Sequence, residues 1–284
     1  MSTATLDLDF RYEDRPAVPV GDGVELYCEL RGDGPTITTV NNFFLVAPMW
    51  RGFTAQLAER NRILSYDLRN QGASSEVPDS GWDDHLADLR GMLDALAIER
   101  TYLVGTSVST LLCRDFALAY PERVAGLVLV GPAFSPYGGR HRRAVNRSWE
   151  TTLREAGTAA LWDHLYSLVL SDTMMERGGT PAYLGLREAF VALLSPQAAL
   201  DNLRTAMQAD DDPALLGQLG CPVLLLVGDN DFMWSPSGVA DAASLIPQCR
   251  VLELPGIGHL PYWEATEAFE GAVQSFVEDC EAGR

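Results

Sequence analysis

The sequence predicts an α/β protein with a mostly parallel twisted sheet flanked by helices and a helical cap. Three observations carry this reading. Near-continuous apolar runs recur along the chain, as expected of strands covered on both faces. Helix-period segments lie between them, and the strand–helix alternation implies parallel pairing. One long stretch, from about 133 to 219, holds helix-like pieces and no clear strand.

The strand-like runs, in order, are VELYCEL (24–30), TITTVNN (36–42), RILSYD (62–67), TYLVG (101–105), VAGLVLVG (124–131), PVLLLVG (222–228) and CRVLEL (249–254). Residues 82–98 place Leu86, Leu89, Leu93, Leu96 and Ala97 on one helical face, opposite Asp and Arg. TLLCRDFALAYPE (110–122) stops at a proline. WEATEAFEGAVQSFVEDC (263–280) reads as an amphipathic C-terminal helix. The region without strands contains NRSWETTLREAG, AALWDHLYSLVLSD, AYLGLREAFVALL and AALDNLRTAM. It is too long for a loop. It is expected to form a cap (133–219) on a core built from 1–132 and 220–284, over the strands' C-terminal edge where open α/β sheets bind ligands.

Composition narrows the function. At 284 residues, with 47% hydrophobic and 21% charged residues, the chain suits one sizeable soluble core. A net charge of -18 argues against nucleic acid, which needs a basic face. No apolar stretch reaches transmembrane length, so no membrane partner is expected. The acidic start MSTATLDLDFRYEDR lacks an apolar signal core, so a cytoplasmic location is expected. Five scattered cysteines (28, 113, 221, 249 and 280), without a CxxC pair, read as reduced, mostly buried thiols. All 21 basic residues are arginine. No metal cluster, dinucleotide fingerprint or phosphate loop is present, and no cofactor or metal is expected.

YLVGTSVSTLL (102–112) carries the chemistry. An apolar run stops at Gly105, Ser107 follows two residues later, and a helix-like run begins. This is nearly the Gly-x-Ser-x-Gly nucleophile elbow, with Ser109 at the last glycine. On its own, Ser107 also reads as a helix N-cap. A serine hydroxyl needs a base to take its proton, and a third group to orient that base. Of the four histidines, only His259 follows a late strand, in a Gly-rich loop before the last helix. His85 falls on the polar side of a helix, and His141 and His164 fall in the cap. After the 222–228 run come Asp229 and Asp231. Asp231, as Gly-x-x-Asp at a strand end, stands clear of the sheet, whereas Asp229 suits a turn.

With these motifs in order, the chain resembles the α/β-hydrolase superfamily over nearly its whole length. DGVELYCELRGDGPTITTV is similar to the family's opening hairpin and third strand. DLRNQGASS (67–75) is similar to its Asp-x-Arg-Gly-x-Gly-x-Ser loop, with Asn70 at the first glycine. VGTSVS resembles the elbow, GDND the acid loop, and GIGHLPYWE the Gly-His loop with its following acidic residue. The resemblance implies a catalytic triad of Ser107, Asp231 and His259, and a cap after the family's sixth strand. One departure stands out. The family carries His-Gly after the third strand, and here Asn41 stands for the His and Asn42 for the Gly. By that alignment the N–H groups of Phe43 and Val108 form the oxyanion hole. Asn42 would tolerate a positive φ in place of glycine and could add an amide donor near the oxyanion.

The aromatics beside the triad suggest an apolar pocket lined by Asn42, Phe44, Trp50, Phe134 and Phe232, with Trp149 and Trp162 in the cap. GRHRRAVNR (139–147) reads as a solvated cap helix or as a site for a phosphate or carboxylate on a carrier-linked acyl chain. Three functional readings follow. The first is a serine hydrolase of a carboxylic ester or thioester with a hydrophobic, polyketide-like acyl group. The second is a lyase, cyclase or acyltransferase of natural-product biosynthesis using the same residues. The third is a ligand receptor without turnover.

Overall fold

The computed structural model describes residues 8–14 and 17–283. The N-terminal stretch read above for a leader, 1–15, lies partly outside these residues. Strands β1 (Val18–Gly21) and β2 (Val24–Leu26) form an antiparallel ribbon. The main sheet contains β3 (Cys28–Arg31), β4 (Thr36–Val40), β5 (Arg62–Tyr66), β6 (Thr101–Thr106), β7 (Val124–Val130), β8 (Val223–Gly228) and β9 (Cys249–Leu254). Its order is β3-β5-β4-β6-β7-β8-β9, parallel throughout except where β3 meets β5. The run at 24–30 is therefore two strands, because the chain leaves the ribbon at Tyr27 to enter the sheet. Strand β1 gives a weak sequence signal: it is short, contains Pro19 and ends in a glycine turn.

Each central strand is apolar on both faces because helices cover both. Leu127 and Leu129 of β7 share one cluster with Leu89, Met92 and Phe116. The alternate residues Val128 and Val130 share another with Phe269, Val273 and Phe276. This period of two is the strand repeat, and each such side chain contributes about 1.5–3 kcal/mol on full burial. The first face is covered by α2 (Trp82–Ala95) and α3 (Ser109–Ala119). The second is covered by α1 (Trp50–Phe53) and α9 (Thr266–Glu281). Helix α2 ends one turn earlier than its apolar pattern suggests, so Ala97 is exposed with φ 52°. His85 corrects the sequence reading. It is 1% exposed on the inner face of α2, and neither ring nitrogen has a hydrogen-bond partner among the described residues.

Between β7 and β8 the chain forms α4 (Arg140–Val169), α5 (Asp172–Leu193) and α6 (Pro196–Ala206). NRSWETTLREAG and most of AALWDHLYSLVLSD lie in α4, on either side of a kink where Gly157 has φ 83°, and the second segment runs on past Val169 to the first residue of α5. Helix α5 also breaks, at Gly179, two residues before Pro181. Serine hydroxyls cap both later helices: Ser171 accepts from the Met174 N–H and Ser195 from the Ala198 N–H. Helix α7 (Pro236–Leu245) links β8 to β9, and α8 (Pro261–Glu264) precedes α9.

Strands β5 and β6 lie on opposite sides of β4, so the chain reverses its winding direction there. A crevice opens at such a switch point, beyond the strands' carboxyl ends. The Asn41–Phe44 loop leaves β4 at that point and Ser107 leaves β6 beside it.

Candidate active site

Ser107 sits on the turn between β6 and α3 with φ 52°, a conformation that costs a non-glycine residue energy. Its neighbours make the turn possible. A Cβ on Gly105 would come within 2.7 Å of the Cys113 sulfur and 2.8 Å of the Ser109 carbonyl oxygen. Ser109, at the family's last glycine, is accommodated by its hydroxyl. Its Oγ accepts the Thr106 N–H at 2.7 Å and lies 2.7 Å from the Val40 carbonyl, to which it can donate. The departure from the motif thereby ties the elbow to β4.

The three residues expected to form the triad meet. His259 Nε2 is 2.9 Å from Ser107 Oγ, and His259 Nδ1 is 2.9 Å from each carboxylate oxygen of Asp231. Asp231 also accepts the Met233 N–H at 2.8 Å, which fixes its carboxylate. Asp229 is exposed and accepts the Gly256 N–H at 2.6 Å, tying the start of the loop after β8 to the turn after β9. The histidine loop is held from three directions. The His259 N–H donates to the Val169 carbonyl at 3.0 Å. Glu264 accepts the Gly258 N–H at 3.1 Å and the Ser171 N–H at 3.0 Å. Gly131 leaves room, since a Cβ there would lie 2.9 Å from His259 Nδ1.

The loop after β4 differs from expectation. Asn42 does not have positive φ; Asn70, at the first glycine of the DLRNQGASS loop, does, at 60°. Nor is the Asn42 amide directed at an oxyanion. Its Nδ2 donates to Thr106 Oγ1 at 3.2 Å and to the Tyr262 hydroxyl at 3.3 Å. Its Oδ1 accepts the Phe44 N–H at 2.9 Å, an Asx-turn that shapes the loop around Phe43. Gln71 Nε2 donates to the Asn42 carbonyl at 2.7 Å. Among the described residues, no acceptor takes the N–H of Phe43 or of Val108, and both residues line the cavity with Ser107.

Behind this loop is buried Asp67, which receives the Ala47 N–H at 2.6 Å, Asn41 Nδ2 at 3.3 Å, the Tyr12 hydroxyl at 2.8 Å and the Ala73 N–H at 3.0 Å. Burial pushes its carboxyl up to about 6 despite those donors. Asn41, in the family's His position, links Asp67 to the Trp50 indole, which donates to its Oδ1 at 2.6 Å.

Of the expected pocket residues, Asn42 and Phe44 line the cavity and three others do not. Trp50 is fully buried under the sheet, anchored by Asn41. Phe134 packs edge-on against Trp234. Phe232 stands behind His259, its ring 4.9 Å away in an edge-on contact. The cavity takes its apolar wall instead from Trp149, Trp162 and Phe190 of α4 and α5 and from Trp263 of α8. Tyr262 and Gln71 also line it, and sequence patterning did not single them out. Their signal was present only as neighbours of His259 and Asn70.

Within GRHRRAVNR, Arg142 is buried and bound to both oxygens of Asp211, which Arg143 also contacts; Arg140 and Arg147 are exposed. Cys113 and Cys221 are buried, the other three cysteines are half-buried, and all five are free thiols. Among the described residues, no cluster of His, Cys, Asp or Glu is placed to hold a metal ion. No helix among them is long and apolar enough to cross a membrane.

A mostly parallel, doubly covered sheet with a strained serine elbow at its carboxyl edge is the architecture of the α/β hydrolases. The chain belongs to the alpha/beta hydrolase family, whose model matches residues 40–272. It is 26% identical, over 87% of its length, to polyketide synthase ThaQ of Burkholderia thailandensis. It spans only 12% of that much longer protein. It is 27% identical to the pimeloyl-[acyl-carrier protein] methyl ester esterase of Nitrosomonas europaea, over 86% of this chain and 96% of that one. Among solved structures, a thermophilic esterase from Thermogutta terrifontis superposes with a TM-score of 0.83 at 24% identity, covering 94% of this chain and 98% of that one. The Nitrosomonas and Thermogutta proteins are esterases, and the chain, a member of the same hydrolase family, is an enzyme.

Proposed function

We propose that the protein is a serine hydrolase that cleaves a carboxylic ester or thioester of a hydrophobic acyl group. The observation that carries the reading is the continuous hydrogen-bonded path from Ser107 Oγ through His259 to both oxygens of Asp231. Ser107 Oγ attacks the acyl carbon while His259 Nε2 takes the hydroxyl proton. Asp231 holds the ring with Nε2 toward the serine and stabilises the imidazolium. The tetrahedral oxyanion is received by the N–H groups of Phe43 and Val108, which lack other acceptors among the described residues. His259 returns the proton to the departing alcohol or thiol. Water, deprotonated by the same nitrogen, then releases the acid from Ser107.

Helices α4 to α6, within residues 133–219, act in this reading as a cap that selects the acyl group, supported by the aromatic wall they contribute. The polyketide synthase and acyl-carrier esterase relatives favour a carrier-linked acyl chain, which exposed Arg140 and Arg147 could approach electrostatically.

The test is mass spectrometry after exposure to a fluorophosphonate, with a panel of acyl esters and thioesters turned over in ¹⁸O water. Label on Ser107, lost in Ser107→Ala, and ¹⁸O in the released acid are expected. An unlabelled wild type overturns the serine reading, and acid without ¹⁸O overturns hydrolysis.

A further inference from the structure

Four buried side-chain N–H groups find no acceptor among the described residues and yet belong to residues lining this one cavity: Asn146 Nδ2 and the indole nitrogens of Trp149, Trp162 and Trp263. A buried donor left unpaired is costly, so four around one apolar pocket call for a partner. Two of them are adjacent. Asn146 and Trp149, three residues apart on α4, share a helix face and are 6% and 8% exposed. Among the described residues neither has a side-chain hydrogen bond, so nothing described in the fold uses these polar atoms. Trp149 reaches the catalytic region through Phe232, whose ring lies 6.3 Å from it and 4.9 Å from His259.

We propose that Asn146, with Trp149 one turn further along α4, forms a polar recognition point for a ketone-type carbonyl on the acyl part of the substrate. The inference rests on the reading of this cavity as the acyl site. The two buried atoms, Asn146 Nδ2 and the Trp149 indole nitrogen, are both donors, which selects an acceptor oxygen. A neutral carbonyl fits better than a carboxylate, because the cation sharing this wall, Arg142, is already bound to both oxygens of Asp211 and to the Ala206 carbonyl. A purely aliphatic acyl chain would leave both donors unpaired, so the arrangement discriminates between oxidised and plain chains of equal length.

The experiment compares p-nitrophenyl octanoate with its keto-octanoate isomers, the ketone moved along the chain. The quantity read is the ratio of kcat/KM for each keto ester to that for the plain ester. In parallel, the ratio of dissociation constants for octanamide and its keto isomers is read on Ser107→Ala by tryptophan fluorescence. One isomer is expected to exceed the plain compound by about tenfold in both ratios, since a tenfold preference is about 1.4 kcal/mol, the size of one or two neutral hydrogen bonds. That ratio should collapse to about one in Asn146→Leu and fall several-fold in Trp149→Phe, which keeps the ring and loses the N–H. Because each ratio is internal to one variant, a general loss of activity or stability does not imitate the result. Ratios near one for every isomer, a preference retained in Asn146→Leu, or no binding of any amide overturns the proposal. If no ester turns over and Ser107 takes no label, the hydrolase reading fails, while the binding ratio still decides the subsite.

Discussion

His259 Nδ1 stands equidistant, at 2.9 Å, from the two carboxylate oxygens of Asp231, whereas Asp229, two residues earlier, faces away and closes a turn on Gly256. Asp231→Asn would offer an amide N–H where an acceptor is needed and turn the ring to the wrong tautomer. A fall in kcat of about 10⁴-fold is expected with the fold retained. Asp229→Asn should cost little in rate and about 1 kcal/mol or less in stability. Steady-state kinetics on the two variants check this, and the reverse order of damage would move the acid role to Asp229.

The loop after β4 yields a second expectation. The Asn42 side chain spends its carbonyl on the Phe44 N–H and its amide on Thr106 and Tyr262. Its φ is not positive, so glycine gains nothing there. Asn42→Ala and Asn42→Gly are both expected to lower kcat/KM by about 10- to 100-fold, through a misplaced Phe43 N–H, with Gly at least as damaging as Ala. A nearly wild-type Asn42→Gly would show that the Asx-turn is dispensable.

Ser109→Gly restores the family's motif and is expected to harm this protein. The Oγ that accepts the Thr106 N–H and contacts the Val40 carbonyl disappears from a buried site. A loss of about 1–3 kcal/mol is expected, seen as a lower denaturant midpoint at constant slope.

His85 supplies an acid-sensitive term. Burial, with the Arg69 charge adding to it, pushes its imidazole down to about 3. The unfolded chain takes up a proton on this residue near pH 6.5, while the folded chain does not until about pH 3. Its contribution to stability is therefore present above pH 6.5 and is lost as pH falls toward 3, at up to about 1.4 kcal/mol per pH unit. In His85→Leu the stability–pH slope across that interval should flatten by about one proton. Denaturant titrations at several pH values measure it, and an unchanged slope would exclude His85 as the source.

The wall formed by α4 makes a prediction about selectivity. Trp162→Ala enlarges the cavity beside Phe190, whose ring lies 5.2 Å away. The ratio of activity on long acyl esters to that on acetate should change by more than the acetate rate itself, and equal losses on both would remove α4 from substrate choice.

The sheet and the meeting of Ser107, His259 and Asp231 were legible because their signals are local. An apolar run, a small-residue turn and a charged residue after a strand each fit within about ten residues. The pocket was not. Trp50 and Phe44 are equally aromatic and six residues apart, yet Trp50 is sealed beneath the sheet by Tyr262 and Phe269, far away in sequence, and Phe44 faces the cavity. His85 was misjudged for a related reason: a neutral imidazole and a charged one look alike in a helical pattern, and only burial by α2's neighbours distinguishes them. Asn42 and Asn70 both replace glycines of the family pattern, and one residue type solved the two positions differently. Asn70 adopts the left-handed backbone and Asn42 rebuilds the turn with its amide.

The anchoring of the histidine loop bears on how this lineage can exchange parts. The backbone of His259 hangs from Val169, the last residue of α4, and its loop shares Glu264 with Ser171, the first residue before α5. Residues 169–171 thus belong to the inserted helices by chain order and to the histidine loop by attachment. Recombination that replaced the insertion as a cassette would detach the base from its mooring, so shuffled descendants would inherit a new specificity and a loosened histidine together. Grafts that keep Val169 to Ser171 with the host should succeed where cuts at the helix ends fail.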